Sequence, residues 1–98
     1  VYAASKAGVS HLTRGLALEW AKYNINVNAI GPGPTITELN QKYFAENPAD
    51  LQERIDSIPM ARVGDPVDLV GAAIFLASDA SNFVTGQTLL VDGGSTLW

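Results

Sequence analysis

There is no cysteine in these 98 residues, and only one histidine and one methionine. A disulfide framework and a thiolate metal site are therefore excluded, and thiol content says nothing about compartment. No apolar run approaches the ~20 residues that a bilayer-spanning helix needs, and no signal peptide is visible. Basic residues are scarce as well: six Lys and Arg stand against ten Asp and Glu, for a net charge of −4. The six are scattered, whereas a phosphate backbone is bound by clustered Lys and Arg. Neither nucleic acid nor a membrane is expected as a partner. What is plentiful is apolar residue, 47% against 16% charged. That balance fits a buried, globular segment rather than a disordered one.

Residues 2–22 read as one helix. Val9, Leu12, Leu16 and Trp20 recur at spacings of three and four, which places them on one apolar face. Gly8 and Gly15 interrupt good helix formers, at about 1 kcal/mol each relative to Ala, and are expected where another backbone comes close. Asn24 is expected to stop the helix in the left-handed conformation. Ile25, Val27, Ala29 and Ile30 then read as a short buried strand, broken by Gly31-Pro32-Gly33-Pro34. In "NPADLQERIDSI" Asn47 is an N-cap candidate, Pro48 suits a first turn and Asp50 the positive end of the dipole. With only Leu51, Ile55 and Ile58 as anchors, this segment reads as a flap. "GDPVDLVGAAIFLASDAS" is a second strong helix with Asp65 as cap, Pro66 first and Asp68 three past the cap. Its apolar "LVGAAIFLA" predicts cover on more than one side. Thr88 to Asp92 reads as a second buried strand, halted by Gly93 and Gly94.

The order is helix, strand, flap, helix, strand. A strand, a helix and a strand make a parallel βαβ unit with a right-handed crossover. Parallel sheets are buried on both faces and have further strands beside them. The fold class expected is therefore α/β, the C-terminal part of a doubly wound parallel sheet, with strands before Val1 absent and Val1 a point of truncation.

Tyr2 and Lys6 stand at i and i+4, on one helix face. A tyrosine hydroxyl, with its reference pKa near 10, is made a better proton shuttle at neutral pH by a nearby ammonium that stabilises the phenolate. The same lysine can hold ribose hydroxyls. Taken alone, Y-x-x-x-K is equally an aromatic residue and a surface lysine. Thr35 and Thr37 equally suit the capping of a turn. Asn28 reads as a structural hydrogen-bonder, Asp92 as part of a strand-ending turn rather than a metal site, and His11 as solvated. The carboxylates between Glu38 and Asp56 read as a wet face of the flap.

Taken together, "YAASKAG", "VNAIGPG", Thr37, "FLASDAS" and "TGQTLLVDGG", in this order and spacing, resemble the short-chain dehydrogenase/reductase family over nearly the whole chain. The resemblance implies a single-domain Rossmann-type fold of roughly twice this length, of which residues 1–98 are the C-terminal portion. It makes Tyr2 the general acid/base on the substrate oxygen. Lys6 becomes the lysine that lowers the tyrosine pKa and holds the nicotinamide ribose. It also makes Tyr2, Lys6, Pro32, Gly33, Thr35 and Thr37 coenzyme-binding, with the Thr35 backbone facing the nicotinamide carboxamide and the Thr37 hydroxyl at the same end of the coenzyme. Pro34 departs from the pattern, which often has a bulky residue there. The coenzyme is NAD or NADP, and no metal is implied. The partner is a small carbonyl or alcohol substrate, and the whole protein is expected to be a cytoplasmic homotetramer. "LALEWAKYNINVNAI" resembles the sugar-acid, gluconate 5-dehydrogenase-like branch. A 3-oxoacyl carrier-protein reductase and a non-catalytic nucleotide-binding homologue are the alternatives. The family's Gly-rich turn, catalytic serine and asparagine have no counterpart here, so the 98 residues are expected to be inactive alone.

Overall fold

The computed structural model describes residues 2–97, with side chains from residue 4 onward. It divides into two compact units, Val1–Gly31 with Ala72–Leu89, and Pro32–Gly71 with Leu90–Trp98. Among the described residues, four α-helices, α1 (Tyr2–Trp20), α2 (Glu38–Glu46), α3 (Pro48–Asp56) and α4 (Val70–Ala77), accompany two strands, β1 (Ala29–Pro32) and β2 (Thr88–Val91). The strands pair side by side and run parallel, as the α/β reading requires.

In the first unit, α1 continues into a 3-10 turn at Ala21–Tyr23 and ends at Asn24, whose φ of 61° is left-handed. The side chains of α1 that are buried are Thr13 and Ala17, at 7% and 3% exposure. The expected apolar face is not covered by the described residues: Val9 is 56% and Leu12 63% exposed. The reason lies in what passes beside the helix. Ser10 shares a hydrogen bond with Thr88 of β2 (3.2 Å), and a Cβ on Gly86 would meet Ala17 at 3.4 Å. Ser10, Thr13 and Ala17 form one stripe at helical spacing, and small side chains admit the strand and its preceding turn. A Cβ on Gly8 or Gly15 would meet nothing within 4 Å among the described residues, so the expected close backbone is not found among them.

Asn28 ties the chain entering β1 to the chain entering β2. Its Nδ2 donates to the Val84 carbonyl (2.9 Å) and its Oδ1 accepts from the Gln87 amide (3.1 Å). Asn26 donates to the carbonyls of Ser81 and Asn82. The structural reading of Asn28 thus holds. The strand itself lies further along than expected, from Ala29 to Pro32, while residues 25–28 are not strand. Proline is tolerated there for a reason of parity. Ala29 donates to Gln87 (2.9 Å) and Gly33 to Val91 (3.1 Å). Alternate residues of a strand face opposite edges, so the nitrogen of Pro32 points away from β2 and its missing hydrogen costs no bond to that strand.

In the second unit, α2 was not anticipated as a helix. It is closed at its C-terminal end by Asn47, whose Nδ2 donates to the Tyr43 carbonyl (2.8 Å). Asn47 precedes α3 but makes no side-chain cap to it, contrary to expectation, because its amide is turned back onto α2. Pro48 occupies the first turn of α3 as expected. Asp65 does cap the next helical segment: its Oδ1 accepts from Val67 (3.0 Å), and the Asp65 amide donates to Asp68 Oδ2 (2.8 Å). The first turn there is 3-10, Pro66–Leu69, and α4 follows it. The helix α4 starts in this unit and runs on into the first from Ala72; Val70 and Ile74 on it are 48% and 63% exposed, so the described residues do not cover it all round. Ile58 is the buried apolar side chain of this unit, at 3%. It packs where Gly93 turns with φ 62°, and a Cβ on Gly93 would lie 2.8 Å from Ile58 Cγ2. None of the described helices is long and apolar enough to cross a membrane.

Candidate functional site

The bend after β1 carries four of the six candidate residues. Pro32 ends the strand. Gly33 has to be glycine, since a Cβ would lie 2.7 Å from both Cα and Cβ of Asp92. Carbon atoms in ordinary contact sit at 3.5–4.0 Å. The backbone from 34 to 36 pairs in parallel with Gly64: the Gly64 amide donates to the Pro34 carbonyl (2.7 Å) and the Ile36 amide to the Gly64 carbonyl (2.9 Å). The Thr35 hydroxyl donates to the Gly33 carbonyl (2.8 Å), and the Thr35 carbonyl accepts from Asn40 Nδ2 (3.0 Å). Thr37 is exposed at the N-cap of α2, with its amide donating to Asn40 Oδ1 (2.7 Å). The bend is thus fixed at every turn by bonds within its own unit. The Thr35 amide is the exception, as it has no acceptor among the described residues. Thr35 is half-buried, so at the carboxyl end of a parallel strand this amide is open to solvent or to a ligand.

Tyr2 and Lys6 lie on α1, in the other unit. The helix sets them one turn apart. Lys6 is exposed, while the Tyr2 side chain lies outside the described residues. The structure therefore brings Pro32, Gly33, Thr35 and Thr37 into one bend, and Tyr2 and Lys6 onto one helix.

Reading the sequence missed Asn40 and Gly64. Asn40 follows Thr37 by three, the spacing of a capping box, and that spacing was available as a signal. Gly64 had none, because its pairing with Thr35 spans about thirty residues. A cleft of about 200 Å³ lies beside the bend, lined by Pro34, Met60, Arg62, Asp68 and Asp92 among others. It falls below the 300–1,000 Å³ of ordinary ligand pockets, so it cannot enclose a nucleotide by itself. Its charged groups are already engaged. Arg62 forks onto Asp68 (2.8 and 3.1 Å). Hydrogen bonding from Arg62, and then from the Asp65 amide, holds the Asp68 carboxyl at about 2, below its ordinary 3.8. Asp92 accepts from the Gly94 amide and the Thr96 hydroxyl (2.9 Å each), which lowers its pKa in that order of effect. It closes the turn after β2, as expected. In the second unit, Tyr43 donates its hydroxyl to Asp50 across the α2–α3 hairpin. That hydrogen bond and the carboxylate charge raise the phenol pKa, so Asp50 serves as an acceptor for Tyr43.

The model of a family described as enoyl-(acyl carrier protein) reductase matches residues 1–96. The chain belongs to the short-chain dehydrogenase/reductase family. Among curated members of that family, it is 47% identical over 97 residues to galactitol 2-dehydrogenase (L-tagatose-forming) of Cereibacter sphaeroides, covering 99% of this chain and 38% of the relative. It is 54% identical over 98 residues to 3beta-hydroxysteroid dehydrogenase 1 of Eggerthella lenta, covering 99% of this chain and 37% of the relative. A gluconate 5-dehydrogenase from Burkholderia cenocepacia J2315, solved in complex with NADP and tartrate, superposes with a TM-score of 0.89 at 46% identity. That match covers 99% of this chain and 38% of the solved one. This member of the short-chain dehydrogenase/reductase family thus spans well under half the length of the relatives it matches. Its likeness to solved Rossmann-type members agrees with the α/β class read from the sequence.

Proposed function

We propose that the whole protein, at the length of its relatives, is an NAD(P)-dependent oxidoreductase that interconverts a secondary alcohol and a ketone on a polyol or sugar acid. In this reading residues 1–98 are the C-terminal portion of one Rossmann-type domain and are inactive alone. The whole protein is a cytoplasmic homotetramer. The observation that carries the reading is the bend at 32–37, whose Thr35 amide is left without a partner while the bonds around it are made. Such an amide fits a carboxamide oxygen, so the residues present suit the nicotinamide end of the coenzyme.

When bound, the coenzyme accepts or gives up the hydride. The chain's own residues bind, orient and move a proton. Tyr2 passes the proton to or from the substrate oxygen. Lys6, one helical turn away, stabilises the phenolate and holds ribose hydroxyls. Thr35 donates its amide to the carboxamide, and the exposed Thr37 hydroxyl meets the same end of the coenzyme. The α2–α3 hairpin, as the flap, excludes water from the substrate.

The substrate class is supported by the names of the relatives, which refer to galactitol, gluconate and a 3beta-hydroxysteroid. All three carry the alcohol on carbon, and two of the three are polyhydroxylated. They do not favour the acyl-carrier-protein reductase alternative. Exposed Leu12 and Leu18 on α1 and Ile74 on α4 support further burial on assembly. The test is coenzyme-dependent oxidation of a panel of polyols, sugar acids and 3-hydroxysteroids by the full-length protein, followed by the absorbance of reduced nicotinamide. Turnover of a polyol or sugar acid is expected. Absence of turnover across the panel with both coenzymes would overturn the reading, and turnover of steroids alone would overturn the substrate class.

A further inference from the structure

Asn40 is the residue on which the bend and the flap meet. It sits on the first turn of α2, and both ends of its side-chain amide are used in opposite senses. Nδ2 donates to the Thr35 carbonyl at 3.0 Å, and Oδ1 accepts from the Thr37 amide at 2.7 Å. Its own backbone amide donates to the Thr37 carbonyl at 3.2 Å. A primary amide is the side chain that can give and take at once from two backbone groups two residues apart. A carboxylate can only accept, and an aliphatic group of the same shape can do neither.

We propose that Asn40 is a positioning residue for the coenzyme. By holding the Thr35 carbonyl, it fixes the peptide plane after Thr35. By holding the Thr37 amide, it fixes the next turn. The residues between which coenzyme contacts fall are thereby set in orientation before binding. It also makes α2 part of the same rigid piece, so the placement of the flap and the readiness of the bend go together. This rests on the coenzyme reading of the bend given above. The bland alternative is that Asn40 merely caps α2, as the Thr37–Asn40 bond does by itself.

Two substitutions in the full-length protein separate these. Asn40→Asp retains the acceptor for the Thr37 amide, and with it the helix cap, but turns a carboxylate oxygen toward the Thr35 carbonyl. Asn40→Leu keeps the shape and removes both bonds without adding charge. Dissociation constants are measured for NADH and NADPH by fluorescence titration, with thermal melting alongside. The expected result is that both variants weaken the preferred coenzyme about tenfold, the order of one lost hydrogen bond. The Asp variant is expected to melt close to wild type and the Leu variant lower. If the Asp variant binds coenzyme as wild type does, Asn40 is only a cap and the proposal is overturned. If only the Asp variant is weakened, charge and not orientation is responsible, and the proposal is again overturned. A wild-type protein that binds neither coenzyme overturns the reading of the bend itself, which is a distinct result. Should the Leu variant fail to fold, Asn40→Ala serves as the uncharged variant that removes both bonds, and its affinity is read in the same way.

Discussion

Substituting Gly33 by Ala tests whether the bend is built as tightly as its geometry indicates. A Cβ at this position lies 2.7 Å from the Cα and Cβ of Asp92 and 3.1 Å from its carbonyl oxygen. Ordinary carbon contacts are 3.5–4.0 Å, so the two chains must separate by about 1 Å. The neighbour is backbone and cannot swing aside as the end of a side chain could. The same movement acts on the adjoining Gly33–Val91 hydrogen bond, now 3.1 Å. Opening it by about 1 Å takes it beyond hydrogen-bonding range. Overpacking costs about 1–3 kcal/mol, and the lost bond adds about 0.5–1.5 kcal/mol. The sum is about 2–4 kcal/mol. At about 2–4 °C per kcal/mol for a domain of 150–250 residues, the melting temperature should fall by roughly 5–15 °C. The assay is calorimetric melting of full-length Gly33→Ala beside wild type, with coenzyme titration below the transition. Affinity should fall too, because the displaced backbone is the one that leads into Thr35. A melting temperature within about 1 °C of wild type would refute the reasoning, since no such separation could then have been needed.

Two further outcomes follow from the same contacts. Asn28→Ala leaves the Val84 carbonyl and the Gln87 amide without their partner. Gln87 is exposed and can turn to water, so the cost should lie near 1–2 kcal/mol, with coenzyme affinity unchanged; a selective loss of affinity would show Asn28 to be more than structural. The Asp68 carboxyl is depressed in the folded state to about 2 from 3.8. The stability contributed by its pairing with Arg62 is therefore complete above the ordinary aspartate pKa and is lost as pH falls through the folded value. Asp68→Asn should flatten the pH dependence of stability between about pH 4 and pH 2, and an unchanged slope in urea unfolding across that window would contradict the assignment.

The sequence declared its helix ends more clearly than its partners. Asn24 in the left-handed region, Pro48 at the head of α3 and the reciprocal Asp65–Asp68 cap are local devices, set by side chains within a few residues of the backbone they satisfy. α2 was missed because "ELNQKYFAE" has few apolar positions. It is held by polar contacts to its surroundings, Asn40 to Thr35, Asn47 to Tyr43 and Tyr43 to Asp50. The start of β1 was misplaced because alternation in "INVNAI" looks like a strand, while the pairing actually begins at Ala29 and accepts Pro32 by parity. Periodicity correctly put Val9, Leu12 and Leu16 on one face of α1 but could not say which face its neighbours cover. The stripe of Ser10, Thr13 and Ala17, which meets β2 and Gly86, has too little apolar character to register. At the candidate site, the bend was legible from its Gly-Pro pattern. Of its supports, Asn40 was signalled by the capping-box spacing from Thr37 but overlooked, while Gly64 is too distant in sequence to be read.

The most direct trial of the enzymatic account is Tyr2→Phe in the full-length protein, with turnover and coenzyme dissociation constant measured on the same preparation. Removing one hydroxyl leaves the ring in place and takes away the group that gives and accepts the proton. Turnover should drop by about 10²–10⁴-fold, the range of general acid–base catalysis, while coenzyme affinity stays at the wild-type value. Turnover close to wild type would contradict the proton role of Tyr2 and, with it, the oxidoreductase mechanism proposed for this chain.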